Sequence, residues 1–528
     1  MHLRNYDLIL PIIFLSLLII FVSFIKPFLI IDETRYIGVA WEMFNRGDYL
    51  VPHLNGAPYD HKPPLLFWLV NLNWHLFGLN TFSLRFIPLL FAIGVVVLNY
   101  KIYKLLWPED KRGLSYVAWI SVSLIVISFY TTLFMFDIML SFWVLLAIYG
   151  GLKAINSEKI GYFLIALAVG FGILAKSPVI VAHLLPLYIF AFFWAKDKID
   201  LKFYIFGLLA VIAGLAIALI WAIPAAKEGG EAFARGIFWE QYAGRAVDAF
   251  AHKRPFWWYL PWIFLILFPW SLYKGFWVGA KEAFSRYFNN EGERFLLVWI
   301  GGALFIFSFI SGKQLHYIAP EFAAFALLIA RSLSLYKSSS YSFKILGVIL
   351  AILGVVFLIA PFFIPSYLKE FLDKSAFFIS GATLLALGVY LIKKSFTTQK
   401  KLIQIVSISS ILFIAIIYYV THIFLAKQNL SAFSKEIAKI QNQGGGVAHI
   451  GKYHNQYQYF GRLKKPIKVI WSKKSIEEFI KNNPNGAIIT YKKAKEYFNP
   501  KAIIATTKFR TQNAILVSTK KWKELEKK

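Results

Sequence analysis

Two adjacent carboxylates, Asp32 and Glu33, follow closely on a long apolar run, residues 8–25, that Lys26-Pro27 closes. A carboxylate beside the lipid boundary costs free energy unless water, a cation or a reaction needs it. Asp32 therefore reads in two ways, as a reactive carboxylate or as the N-cap of a helix beginning near Arg35. Neighbours on a helix lie about 100° apart, so Glu33 points elsewhere and is expected to pair with Arg35 or Arg85. Asp137 and Lys176 interrupt apolar stretches farther on. Each would cost about 3 kcal/mol at a bilayer centre and less at the interface. They read equally as members of a polar cavity and as a structural ion pair.

Positioning such groups is a task for membrane helices. The 528 residues are 58% hydrophobic, which places the chain in the α-helical polytopic membrane class. A span needs about 20 mostly apolar residues, and about thirteen candidates follow on that basis. They cover residues 8–25, 86–106, 114–130, 138–155, 160–174, 179–194, 203–223, 257–278, 295–310, 318–335, 345–364, 377–392 and 403–425. No small-residue cleavage site follows the first run, so it is expected to remain as a helix. The chain has no cysteine, which excludes disulfides, thiolate metal sites and a cysteine nucleophile.

Alternate short loops are rich in Lys and Arg, among them 101–112, 153–159, 196–202, 281–286, 331–344 and 393–401. By the positive-inside rule they face the cytoplasm. The opposite side then holds two long loops, 26–85 and 224–256, and everything after residue 426. Residues 63–77 are apolar but too short to span, and suit a helix lying in the interface. The chain divides into a membrane domain, 1–426, and a basic extracytoplasmic region, 427–528. That region carries 22 Lys and Arg against 6 Asp and Glu. Strand-like runs at 447–450, 467–470, 487–490 and 514–517, with helical stretches at 475–482 and 493–498, predict a small α/β unit. Its charge suits anionic lipid headgroups or phosphorylated glycolipids, or reflects only a lysine-rich composition. A chain embedded this deeply argues against nucleic acid.

The first long loop reads Asp32-Glu33-Thr34-Arg35-Tyr36, then Trp41-Glu42-Met43 and Arg46-Gly47-Asp48, then Val51-Pro52-His53-Leu54-Asn55-Gly56-Ala57-Pro58-Tyr59-Asp60-His61-Lys62-Pro63-Pro64-Leu65. This run resembles the start of the lipid A 4-amino-4-deoxy-L-arabinose transferase family, GT-C glycosyltransferases that use polyprenyl-phosphate sugars. The protein O-mannosyltransferases are more distant cousins. The dense match covers roughly residues 30 to 90. Weaker matches run through Asp137, Lys176, Arg254-Pro255-Phe256-Trp257 and residues 313–320.

The resemblance implies an inverting, metal-independent sugar transferase in a bacterial inner membrane, acting on the periplasmic face. Its donor would be undecaprenyl or another polyprenyl phosphate sugar, and its acceptor lipid A or the lipopolysaccharide core. Asp32 becomes the catalytic carboxylate and Asp137 a second acidic group of the site. A hydroxyl acceptor needs a base; a lipid A phosphate, with its second pKa near 6, is already mostly ionised. Tyr36, Tyr59, Lys62 and Tyr317 match residues that contact the donor phosphate in that family, although Tyr and Lys also favour membrane interfaces as anchors. The loop carrying Arg245 and Arg254 resembles one that closes over that phosphate. Glu33, Arg35, Arg85 and Lys176 have supporting places.

One position departs from the family pattern. His61 stands where the aminoarabinose transferases usually have glutamate, and with His252 it would form a possible zinc site, because neutral imidazole is a good ligand. The change also makes the donor pocket less acidic, which favours a uronic acid such as galacturonic acid over an amino sugar. Two rivals remain. A protein O-mannosyltransferase would usually carry a different lumenal insertion, which is not seen. A polyprenyl-lipid flippase or transporter would show repeated halves, whereas the polar residues here gather on one face.

Overall fold

The computed structural model describes residues 6–239, 253–286, 290–365, 370, 372–493 and 500–524. It is a bundle of apolar helices with a small sheet-containing region at one end. Helix α1, Tyr6–Ile25, is apolar almost throughout and ends where Pro27 withdraws a backbone donor. Helix α2, Asp32–Arg46, and helix α3, Leu65–Phe77, fill the first long loop. They are followed by α4 (Phe86–Leu106), α5 (Lys111–Ser123), α6 (Ile125–Thr131), α7 (Phe136–Ile155) and α8 (Ile160–Lys176).

Among the described residues eight helices are long and apolar enough to cross a bilayer, or nine if the bent pair α5–α6 is one span. The expectation of about thirteen differs because several apolar segments are short or broken. The stretch expected at 114–130 bends by 57° between α5 and α6. The stretch expected at 257–278 breaks into 3-10 turns around Tyr259–Ile266 and a separate helix Lys274–Ser285. Hydropathy registers apolar length and is blind to such breaks.

The helices pack by close backbone approach. Lys344–Phe363 lies against Lys374–Lys393, and a Cβ on Gly354 would stand 2.5 Å from the Leu385 nitrogen. Small residues at a helix crossing allow this where lipid provides no hydrophobic drive between helices.

Strands β1, His53–Leu54, and β2, Ala57–Pro58, form a hairpin within the first long loop. Its two-residue turn is Asn55-Gly56, both at positive φ, the pair that such tight hairpins favour. The last hundred residues form a five-stranded sheet in the order β4-β3-β5-β7-β6. Strands β3 (Val447–Ile450), β4 (Lys468–Ile470) and β5 (Ala487–Lys493) pair in parallel. Strands β6 (Ile503–Phe509) and β7 (Gln512–Ser518) extend the sheet antiparallel to β5. The four expected strands are present and β6 is additional. The helix expected at 475–482 is Lys473–Asn482, while most of the one expected at 493–498 lies outside the described residues.

This region is seated on the first long loop. The Trp41 indole donates to the Leu463 carbonyl at 2.8 Å. Asn55 exchanges hydrogen bonds with the Ile467 backbone at 2.8 and 2.9 Å. The Trp74 and Tyr459 rings stack with centroids 4.9 Å apart.

Candidate functional site

Helix α2 carries the carboxylates in its first turn and aims them apart. Asp32 is the first helical residue; the cap position is Ile31, at φ 74°. The N-cap reading of Asp32 is therefore set aside. Its side chain is half exposed and meets one guanidinium nitrogen of Arg510 at 3.2 Å.

Glu33 is fully buried. Both its oxygens accept from the Lys26 ammonium at 2.8 Å, and the Leu29 and Phe134 N–H groups donate to it at 2.7 and 2.6 Å. Arg85 stands 3.6 Å away and donates to the Lys26 carbonyl at 3.0 Å. Burial alone would raise Glu33; Lys26, Arg85 and these hydrogen bonds overcome it and hold the carboxyl below its usual range. The pairing with Arg85 matches expectation. Arg35 is not a partner: it turns to the Tyr36 hydroxyl, and its Nε has no hydrogen-bond acceptor. Lys26, the principal partner, was legible only as the residue that ends α1.

Glu42, one face farther along α2, organises the hairpin. It accepts from the Asn55 and Gly56 N–H groups at 2.6 and 2.8 Å, and from the Asn455 amide at 2.5 Å. The hairpin in turn sets the run from Tyr59 to Lys62. Tyr59 is buried, with its N–H on the Pro52 carbonyl at 2.7 Å. The Lys62 ammonium lies over the Phe136 ring at 5.6 Å, and Tyr36 meets the same ring edge-on at 4.8 Å.

Phe136 opens α7, and Asp137 follows it into the cluster. Asp137 is buried and paired with Lys176, the last residue of α8. That ammonium also lies 5.6 Å from the Tyr317 ring. His316 and Lys62 bear electrostatically on Asp137 as well. Burial, reinforced by Asp137 and Asp32 and opposed by Arg35, pushes the Tyr36 hydroxyl up, so it stays a neutral donor.

Six of the expected residues thus converge: Tyr36, Tyr59, Lys62, Asp137, Lys176 and Tyr317. Asp32 and Arg35 stand beside them on α2, and Glu33 and Arg85 form a separate nest behind. His316 was missed, although its neighbour Tyr317 was named. Arg510 was missed because nothing in the sequence ties it to a residue 478 positions away.

Arg254 is exposed, with its backbone on the Ser311 carbonyl at 3.1 Å and on Lys313. Arg245 and His252 lie outside the described residues. His61 is exposed and 3.9 Å from Asp60. Among the described residues no three His, Asp or Glu side chains gather as a metal would require. His61 and Asp60 alone do not compose a donor set.

The architecture is of the GT-C fold, a multi-span helical bundle with its polar site at one end. The crystal structure of ArnT from Cupriavidus metallidurans in the apo state superposes with a TM-score of 0.74 at 15% identity, covering 96% of this chain and 97% of that one. The same protein bound to undecaprenyl phosphate gives 0.72 at 13% identity, covering 97% and 98%. The family described as dolichyl-phosphate-mannose-protein mannosyltransferase matches residues 61–221. The undecaprenyl phosphate-alpha-4-amino-4-deoxy-L-arabinose arabinosyl transferase of Enterobacter sp. (strain 638) is 30% identical over 340 residues, 62% of this chain and 59% of the relative. The chain spans less than two thirds of the length of the curated relatives it matches. The resemblance carried by the first long loop therefore extends well beyond it.

Proposed function

We propose that the protein transfers a sugar from a polyprenyl-phosphate donor to lipid A or the lipopolysaccharide core. The reaction would take place at the periplasmic face of a bacterial inner membrane. One observation carries this reading: a half-exposed carboxylate, Asp32, stands beside a partly buried cluster of cations and phenols at the mouth of the bundle.

A departing lipid phosphate needs cations and hydroxyl donors converging on it. Lys62, Lys176, Tyr36 and Tyr59 offer them. Asp137 offsets part of that charge and holds Lys176 in place. In the transfer, an acceptor oxygen forms a bond to the anomeric carbon as that carbon's bond to the donor phosphate oxygen breaks. The electron pair leaves with the polyprenyl phosphate. Attack opposite the leaving group inverts the anomeric centre. With a hydroxyl acceptor, Asp32 takes the proton. With an ionised phosphate acceptor no proton need move, and Asp32 serves to orient the reactants and stabilise the cationic transition state. No step requires a metal.

The named function of the relatives favours aminoarabinose as the sugar. The His61 replacement argued for galacturonic acid, but Asp60 keeps a carboxylate beside it. The test is transfer by the purified protein in proteoliposomes, with undecaprenyl-phosphate aminoarabinose or galacturonate supplied separately. Mass spectrometry of lipid A then reads the product. A mass increase matching one sugar supports the reading, and no added mass with either donor removes it.

A further inference from the structure

The region after residue 426 has no role in the chemistry above, yet it places a cation on the candidate catalytic carboxylate. Strands β6 and β7 are joined by a two-residue turn, Arg510-Thr511, with Arg510 in the left-handed conformation at φ 56°. The turn is tied down where the Arg510 N–H meets Gln428 Oε1 at 3.3 Å. One terminal guanidinium nitrogen donates to Asp32 at 3.2 Å and to the Ile30 carbonyl at 3.1 Å. Among the described residues both contacts use that nitrogen, leaving the other edge of the half-exposed fork to solvent.

A second loop of this region comes down next to it. Asn455 packs against α2 so tightly that a Cβ on Gly38 would stand 2.5 Å from its carbonyl oxygen. Lys452 and His454 ride on that loop. Burial first, then Arg35, Lys452 and Arg510, bring His454 down to about 4, so it is neutral near pH 7. Among the described residues the charged groups that face Asp32 are Arg510 from the turn and Arg35 from its own helix, with the Tyr36 hydroxyl one turn along. Lys452 acts on His454 on the same loop. Two guanidinium groups bear on one carboxylate. An exposed ion pair is worth only about 0.2–1 kcal/mol, so pairing alone is a weak reason for this concentration of charge. A planar fork with one free edge matches phosphate geometry.

We propose that the C-terminal region completes the acceptor subsite. Arg510, with Arg35, seats an anionic group of the acceptor, a glycolipid phosphate, beside Asp32. This rests on the transferase reading of Asp32. Arg510 is then a positioning residue: it holds the acceptor phosphate where its oxygen reaches the anomeric carbon, and takes no proton.

The test uses the full-length protein in nanodiscs, with phosphorylated lipid A or the same lipid A after phosphatase treatment. Direct binding and transfer kinetics are both measured. Arg510→Gln is expected to weaken binding of phosphorylated lipid A and raise its KM about tenfold, the worth of one hydrogen bond to a charged group. The donor KM and the melting temperature should stay unchanged, and Arg510→Lys should recover most of the loss. Phosphatase-treated lipid A should bind both forms equally weakly. Unchanged binding in Arg510→Gln overturns the proposal, as does an equal loss for donor and acceptor that lysine does not rescue. If the wild type transfers nothing but Arg510→Gln still loses binding, the clamp stands and the transferase reading fails.

Discussion

The two ends of the helical bundle carry ion clusters of opposite character. At the end away from Asp32, Arg331 is closed between two carboxylates, Glu293 at 2.7 Å and Asp110 at 2.8 Å. Trp107 donates to Glu293 at 3.0 Å and Tyr103 to Asp110 at 2.7 Å. Each charge there has a fixed protein partner, and the cluster ties four helices together. At the other end the Glu33 nest is equally closed, but Asp32, one residue earlier, is half exposed and meets Arg510 through one nitrogen. Closed clusters settle the desolvation of their charges within the fold. An open one leaves charge for a ligand to meet, and the open one here adjoins the Lys62–Asp137–Lys176 cluster.

The comparison breaks most visibly if the closed clusters are dispensable. Glu33→Gln and Arg331→Met each leave a buried charge without its partner. Each is expected to cost about 3–5 kcal/mol of stability, read as a lowered unfolding midpoint in detergent. Next, Lys62→Ala should cost less stability than either, because the buried Asp137 carboxylate it bears on keeps Lys176 as its partner. Transfer should fall by the equivalent of about 1.5–3 kcal/mol, the worth of a hydrogen bond to a charged group, in single-turnover kinetics. Equal losses of stability at both ends would erase the distinction.

Gly38→Ala sharpens it from the side of docking. The new Cβ would meet the Asn455 carbonyl, and overpacking of this kind costs about 1–3 kcal/mol. The loop carrying Lys452 and His454 should loosen, seen as faster amide exchange over residues 451–457.

The same docking also answers to pH. Burial is the leading cause that brings both His449 and His454 down to about 4, against about 6.5 when free. The unfolded region therefore binds more protons between these values. The stability the neutral histidines contribute is present above pH 6.5 and is lost as pH falls through 4. Protection factors for amide exchange in the sheet region, taken against the intrinsic rate at each pH, should fall over that interval and stay level from pH 7 to 8.

Much of the bundle was legible in the sequence because apolar length is a strong signal; residues 86–106 coincide with α4. The breaks were not, since the residues around Leu124 and around Phe268-Pro269 remain apolar through the bend. Within the site, the first long loop was readable because Asn55-Gly56 and the flanking Tyr59 and Lys62 are local features. The pairing of Asp137 with Lys176 was one of two readings left open. The seat of the C-terminal region on α2 was invisible: the contacts of Trp41 with Leu463, Glu42 with Asn455 and Asp32 with Arg510 each join residues more than 400 positions apart. No local pattern specifies such pairs, and only the folded sheet presents them.

The central claim is that Asp32 acts on the reaction while its neighbour Glu33 holds the fold. The most direct measurement is the turnover of Asp32→Asn in proteoliposomes, with donor binding and thermal midpoint recorded on the same preparation. The account predicts a loss of about a hundredfold or more in turnover, with donor bound and the midpoint unchanged. Turnover near that of the wild type would contradict it, and would leave Asp32 as no more than a surface partner of Arg510.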